Sequence, residues 1–329
     1  MLRKIQRFLR YTAHAQLLPA LESGDDPLIG GQAVLEGVMM RAPHSYCVAV
    51  RKPDGEVVTE EGEAKRLSEQ NKFWGLPVVR GVATLFQAMS LGMKALNFSA
   101  QHAVEEEEGK GGEAAKEPAG WMKALMVLFQ VGFFIFLYKF IPLTATGQLQ
   151  SLFPALDNQV GFSVVEGVIR LGIFLTFLFA ISRMKDIHRV FMYHGAEHKV
   201  VFNYESGKAV DVPTAQSFVT WHPRCGTSFL MVVMVVSIIV YAFVPMQGFA
   251  FQFAARLALL PVIMGLSYEV IRFVATRQAS LLGVIAAPGL WLQRITTKEP
   301  TDDQVEISIR ALEGAMELEK NKGGRLVIA

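Results

Sequence analysis

Four long apolar runs limit what this chain can fold into more than any other feature. They are Ala124–Phe140, Val164–Ile181, Phe229–Val244 and Ala250–Ile271, and each carries two charges or fewer. Runs of this length approach the roughly 20 residues a helix needs to cross a bilayer core. Hydrophobic residues make up 51% of the 329-residue chain against 19% charged, and mean hydropathy is +0.31. The sequence therefore predicts a multi-pass α-helical membrane protein, with about four transmembrane helices and the lipid bilayer as its surroundings. A formal net charge of +2 is too small to point to nucleic acid. Cys47 and Cys225 are too few for a disulfide framework. The basic start Met1–Arg7 has no apolar core after it, so no cleavable signal peptide is expected.

Positive charge is distributed unevenly between the runs. The connections Pro142–Ser163 and Pro245–Phe249 contain no Lys or Arg. Arg183–Thr227 holds six, and the first 121 residues hold fourteen. By the positive-inside rule both termini and the 183–227 loop are cytoplasmic. The expected location is the bacterial cytoplasmic (inner) membrane. Arg256, near the outer end of the fourth run, dissents and is expected to snorkel. With few charges at the span centres, a transporter is the weakest reading.

The remainder reads as a small cytoplasmic α+β portion. Residues 1–104 form an N-terminal part, of which 1–26 is a basic amphipathic segment. Gly30–Arg41 is a tight turn-and-strand, in which Glu36 and Arg41 are expected to pair, with a substrate-facing Glu36 as the alternative. Tyr46–Val50 and Glu56–Glu60, around Lys52-Pro53-Asp54-Gly55, predict a β-hairpin with Cys47 packed in a strand. Residues 76–100 are broken by Arg80, Gln87, Lys94 and Asn97, with 13 uncharged residues between Arg80 and Lys94. That is too short to span, so an interfacial helix is expected. Residues 105–120, with four consecutive Glu, read as a disordered linker. Residues 121–182 hold the first two spans, 183–227 the cytoplasmic loop, and 228–272 the last two spans. Within 273–329, Leu281–Leu292 is broken by Pro288-Gly289 and is expected to dip into the membrane. Thr301-Asp302-Asp303-Gln304 is a capping box opening a helix to about Lys320, with Val305, Ile309, Leu312 and Met316 on its packed face.

Chemistry concentrates in the 183–227 loop. In His194-Gly195-Ala196-Glu197-His198 the two histidines are four residues apart, stacked on one face if the segment is helical. That spacing suits one divalent metal, and Glu197 is placed to act as base on a water there. The order His-x-x-Glu-His is that of the inverzincins. About 0.01 such matches are expected by chance in a chain of this composition. The plain alternative is a pair of histidines making ordinary hydrogen bonds at a membrane surface. Further on, His222-Pro223-Arg224-Cys225 offers His222 or Cys225 as a third ligand and Arg224 to steady an anionic substrate. Glu269 is a further ligand candidate, although pairing with Arg272 accounts for it more simply. Zinc is the first choice of metal for His and Cys donors.

Four stretches together resemble a known family: Gly30–Arg41, His194–Lys199, His222–Ser228 and Pro288–Gln293. They are similar to signatures of the YqhQ-like bacterial membrane family, a domain of unknown function described as a predicted metal-dependent enzyme. The resemblance runs from about Gly30 to about Leu312. It implies an integral membrane protein with a metal site and brings no established reaction. The expected function is a metal-dependent hydrolase at the cytoplasmic face, acting on an amphipathic or membrane-bound substrate. The alternative is a scaffold or assembly factor whose loop is folded by a structural metal.

Overall fold

The computed structural model describes residues 29–64, 72–104, 120–222, 225–245, 247–276 and 283–321, with the side chains of 123, 124, 155 and 274–287 excepted. The basic segment 1–26, nearly all of the 105–120 linker, Arg224 and the start of Leu281–Leu292 lie outside the described residues.

Strands β1 (Gly30–Val34), β2 (Gly37–Arg41), β3 (Ser45–Arg51) and β4 (Val57–Glu63) form one antiparallel meander in the order β1-β2-β3-β4. The expected hairpin is β3–β4, and the turn-and-strand before it is a second hairpin, closed at Leu35-Glu36 with Glu36 at φ 50°. Side chains alternate between two buried faces, as strand geometry requires. Val38, Met40, Cys47 and Ala49 enter one core, and Val34, Met39, Tyr46, Val48 and Val50 the other.

Helix α1 (Val79–Val104) covers the second of these faces through Leu91, Ala95 and Phe98. Next comes α2 (Gly120–Leu152), one 33-residue apolar helix. It runs twelve residues past Phe140 into the expected connection. The chain widens into a π turn at Phe136–Phe140 just before Pro142, which gives room for a proline that would otherwise clash with the preceding turn. Then follow α3 (Gln159–Ile181), α4 (Lys185–Glu205) and the short α5 (Val212–Gln216). Asn158 caps α3 and Asp211 caps α5, each accepting from a backbone N–H three residues on. The chain continues through α6 (Gly226–Tyr241), α7 (Phe249–Ala258), α8 (Leu260–Thr276), α9 (Gly283–Thr296) and α10 (Asp302–Asn321).

Among the described residues, α2 and α3 are long and apolar enough to cross a membrane by themselves. The fourth run is broken into α7 and α8 with a 46° bend, and counting that pair as one span makes three. The third run, α6, is apolar but has 16 residues. The molecule is thus mostly helical, with two to three candidate spans and a small four-stranded sheet.

Half of the expected capping box forms: the Gln304 side chain accepts from the Thr301 N–H at 3.1 Å, while the Gln304 N–H bonds the Thr301 backbone carbonyl. Helix α10 lays Val305, Ile307, Ala311, Leu312 and Ala315 on the first sheet face beside α4. Ile309 and Met316, from the predicted stripe, pack at the edge of this core.

Two expected pairings and one expected side-chain placement are replaced. Glu36 bonds Arg189 of α4, with Nη2 to Oε2 at 2.6 Å, and not Arg41. Glu36 is in the turn and Arg41 ends β2, so the extended strand carries them apart. Glu269 takes the guanidinium of Arg80 and the N–H of Val78 in place of Arg272, because α8 packs directly on α1. Arg256 does not snorkel. It is 1% exposed, and its Nε donates to Glu166 on α3 at 2.8 Å.

Candidate metal centre

Helix α4 presents His194 and His198 on one face, their ring centroids 4.5 Å apart. The loop before α6 brings Cys225 to the same point. His194, His198 and Cys225 each offer a donor atom within 4.8 Å of the others. His194 Nε2 lies 3.2 Å from Cys225 Sγ, and the sulfur is also within reach of His198.

The far side of each imidazole fixes its role. His194 Nδ1 is 2.8 Å from the Thr296 carbonyl oxygen, and His198 Nδ1 is 2.5 Å from that of Thr220. A carbonyl accepts and cannot donate, so both Nδ1 atoms carry the proton and both Nε2 lone pairs face Cys225. This is how backbone carbonyls orient imidazoles that hold a metal. Cys225 is the N-cap of α6 and its sulfur accepts from the Thr227 N–H. The donor set fits a divalent metal, and two imidazoles with a thiolate suit zinc.

Burial keeps this cluster ready to bind. It pushes the pKa of His198 down to about 4, partly offset by Cys225, and that of His222 likewise to about 4. Both rings are therefore neutral at pH 7, as ligation requires. Glu197 is 6% exposed, and burial raises its carboxyl above the usual range, opposed by His194, His222 and the Gly31 N–H. One carboxylate oxygen is 3.4 Å from His198 Nε2. On its other side stands β1, where a Cβ on Gly31 would come within 2.5 Å of Glu197 Cγ. The glycine lets the strand backbone approach the carboxylate and donate to it.

His222 sits beside the three donors rather than among them. Its ring is 5.7 Å from that of His198, and its Nε2 is 3.4 Å from Glu205. Its backbone is held by Gln293 of α9, which accepts from the His222 N–H at 2.7 Å and donates to its carbonyl at 2.8 Å. Glu36, Arg41 and Glu269 are not in the cluster.

Several supporting residues carry no motif of their own in the sequence. Thr220, Thr296 and Glu205 act through backbone carbonyls or a side chain, whereas Gln293 ends the Pro288–Gln293 signature without its role being readable there. Gly195 gave the nearest hint. A Cβ there would overlap the Lys298 carbonyl oxygen, because Lys298 crosses α4 here and donates its N–H to Phe191 at 2.9 Å. Gly195 thus lets the 296–298 segment lie against the helix and bring Thr296 to His194.

The sheet is packed by helices on both faces, and the His-His-Cys cluster lies at the foot of an apolar helix. The chain belongs to the family described as "Protein of unknown function (DUF1385)", whose model matches residues 76–318. It is 33% identical over 300 residues to "Uncharacterized protein YqhQ" of Bacillus subtilis (strain 168), covering 89% of this chain and 93% of that protein. No solved structure matches.

Proposed function

We propose that this protein is a zinc-dependent hydrolase of the bacterial cytoplasmic membrane, with four passes and both termini cytoplasmic, working at the inner surface on an amphipathic or membrane-bound substrate. The observation that carries this reading is the division of labour around α4. His194, His198 and Cys225 converge, while Glu197 lies beside them with one face on β1. Three protein donors with a neighbouring carboxylate is the pattern of a catalytic site, whereas a fourth protein ligand would close it into a structural one.

A bound zinc ion supplies Lewis acidity and makes water acidic enough to deprotonate near neutral pH. His194 and His198 would hold the metal through Nε2, with Thr296 and Thr220 orienting the rings. Glu197 takes a proton from the attacking water and returns it to the leaving group. Its burial suits the work, since raising a carboxyl above its usual range makes its carboxylate a stronger base. Arg224, between His222 and Cys225 in the chain, is the cation assigned to an anionic substrate or intermediate.

The test combines one elemental measurement with one assay. Wild type, Glu197→Gln and His198→Ala are purified, zinc is quantified, and hydrolysis of amphipathic ester and peptide substrates is followed in micelles. Glu197→Gln is expected to keep its zinc and lose activity by about two to four orders of magnitude. His198→Ala is expected to lose the zinc. If Glu197→Gln strips the metal as fully as His198→Ala, the carboxylate is a ligand and the base role is wrong. Zinc bound with no turnover of any substrate leaves the scaffold with a structural metal as the better reading.

A further inference from the structure

The apolar helices enclose a second set of ionised groups, remote in sequence from the histidine cluster. Glu166 of α3 is fully buried, and Arg170, Arg256 and Lys139 are 5%, 1% and 8% exposed. Arg170 and Arg256 share Glu166, one on each carboxylate oxygen, the latter at 2.8 Å. Lys139 donates to the Tyr241 hydroxyl at 2.7 Å, and that hydroxyl donates to the Arg256 carbonyl at 3.1 Å. All three cations lie over the Tyr241 ring, Lys139 Nζ at 4.8 Å and the two guanidinium carbons at 5.2 Å.

The charge does not balance. Two guanidinium groups against one carboxylate leave +2 − 1 = +1 among the described residues of the network even with Lys139 neutral, and a charged Lys139 adds to the excess. Tyr241 attracts them through its ring, but a quadrupole does not neutralise a charge. Excess charge held among apolar helices is costly unless something compensates it. Two further donors point the same way. Arg170 Nε and Ser163 Oγ are buried with no hydrogen-bond partner among the described residues. Ser163, Glu166 and Arg170 recur at three- and four-residue spacing along the buried face of α3. The cluster is rich in donors and positive charge and short of acceptors. Guanidinium, ammonium and hydroxyl groups together match a tetrahedral oxyanion.

We propose that this cluster, built from α2, α3, α6 and α7, binds an anion of the phosphate class through Lys139, Arg170 and Ser163. Glu166 holds the two guanidinium groups in place. The phosphate comes either from a phospholipid head group or from free inorganic phosphate. The site is independent of the metal centre, which uses none of these residues.

Thermal unfolding in a phosphate-free non-ionic detergent, with inorganic phosphate titrated in, tests the free source. Native mass spectrometry after reconstitution in phosphatidylglycerol tests the lipid source. Binding in either arm is expected for wild type, with chloride at equal ionic strength giving no comparable stabilisation. Ser163→Ala removes one oxygen and is expected to fold, with affinity weakened about tenfold or more. Lys139→Gln is expected to weaken it further. If Lys139→Gln fails to fold, Ser163→Ala carries the test. The proposal is overturned if wild type binds in neither arm, if chloride serves as well as phosphate, or if Ser163→Ala binds as wild type does.

Discussion

Gly195 and Lys298 are in backbone contact, so close that no side-chain carbon fits between them. The contact places the carbonyl of Thr296 on His194 Nδ1. Gly195→Ala is therefore expected to push the 296–298 segment away and release His194 from its acceptor while leaving every ligand in place. Losing such a partner typically costs 10- to 100-fold in metal affinity. Zinc competition against a chelator measures it, and an unchanged affinity would mean that the carbonyl does not orient the ligand. Gly30→Ala serves as the control, since a Cβ there meets nothing within 4 Å.

The two thiols differ in environment, and alkylation separates them. Burial, with Glu61 adding to it, pushes the Cys47 thiol up to about 12. At pH 8 it is expected to resist iodoacetamide in the folded protein, because the thiolate is the reactive form. Cys225 is half-buried and should be modified in the metal-free protein and protected once zinc is added. Mass spectrometry of the digested protein reads both sites. Labelling of Cys225 that is indifferent to zinc would remove it from the ligand set.

Acid should destabilise the metal-free protein from about pH 6.5 downward. His198 and His222 are held at about 4, below the ordinary 6.5 of histidine. Between these values the unfolded chain binds protons that the folded one refuses. Their contribution is thus complete above pH 6.5 and is lost as the pH falls toward 4, roughly 3 kcal/mol for each ring. Glu197 acts in the opposite sense, because its raised pKa lets the folded state bind a proton more readily than the unfolded one. Glu197→Gln should accordingly show the steeper loss of melting temperature on acidification. A flat melting temperature between pH 6.5 and 5 would contradict the buried neutral rings.

Glu269→Gln separates packing from ligation. Its carboxylate joins α8 to Arg80 of α1, with both side chains roughly a quarter exposed. Solvent screening limits such a pair to about 1 kcal/mol. The variant is expected to melt a few degrees lower with its full complement of zinc. Loss of the metal would restore Glu269 as a ligand.

The local parts of this architecture were legible in the sequence, and the long-range parts were not. Periodicity and turn chemistry located the β3–β4 hairpin, the α10 cap and the histidine pair, because each depends on residues within a few positions. Partners fared worse wherever a near neighbour in sequence offered itself. Arg41 and Arg272 were obvious mates for Glu36 and Glu269, yet Arg189 and Arg80, 153 and 189 residues away, are the mates found. The same limit hid the network around Glu166. Seen singly, Lys139, Arg170 and Arg256 are stray charges in apolar runs, and only helix packing brings the two arginines to Glu166 and Lys139 to Tyr241 beside them. His222 stands next to the cluster rather than in it because its Nε2 faces Glu205, at the far end of α4.

The route of the chain through the metal centre also sets an order of assembly. The three donors are translated by residue 225, but the carbonyl that orients His194 belongs to Thr296, and the side chain that pins the His222 backbone belongs to Gln293. A ribosome that has just released Cys225 must therefore make some seventy more residues before the pocket has its final shape. On the proposed reading, metal loading is expected late in the life of each molecule. A chain cut short after α8 would carry all three donors and still present them badly.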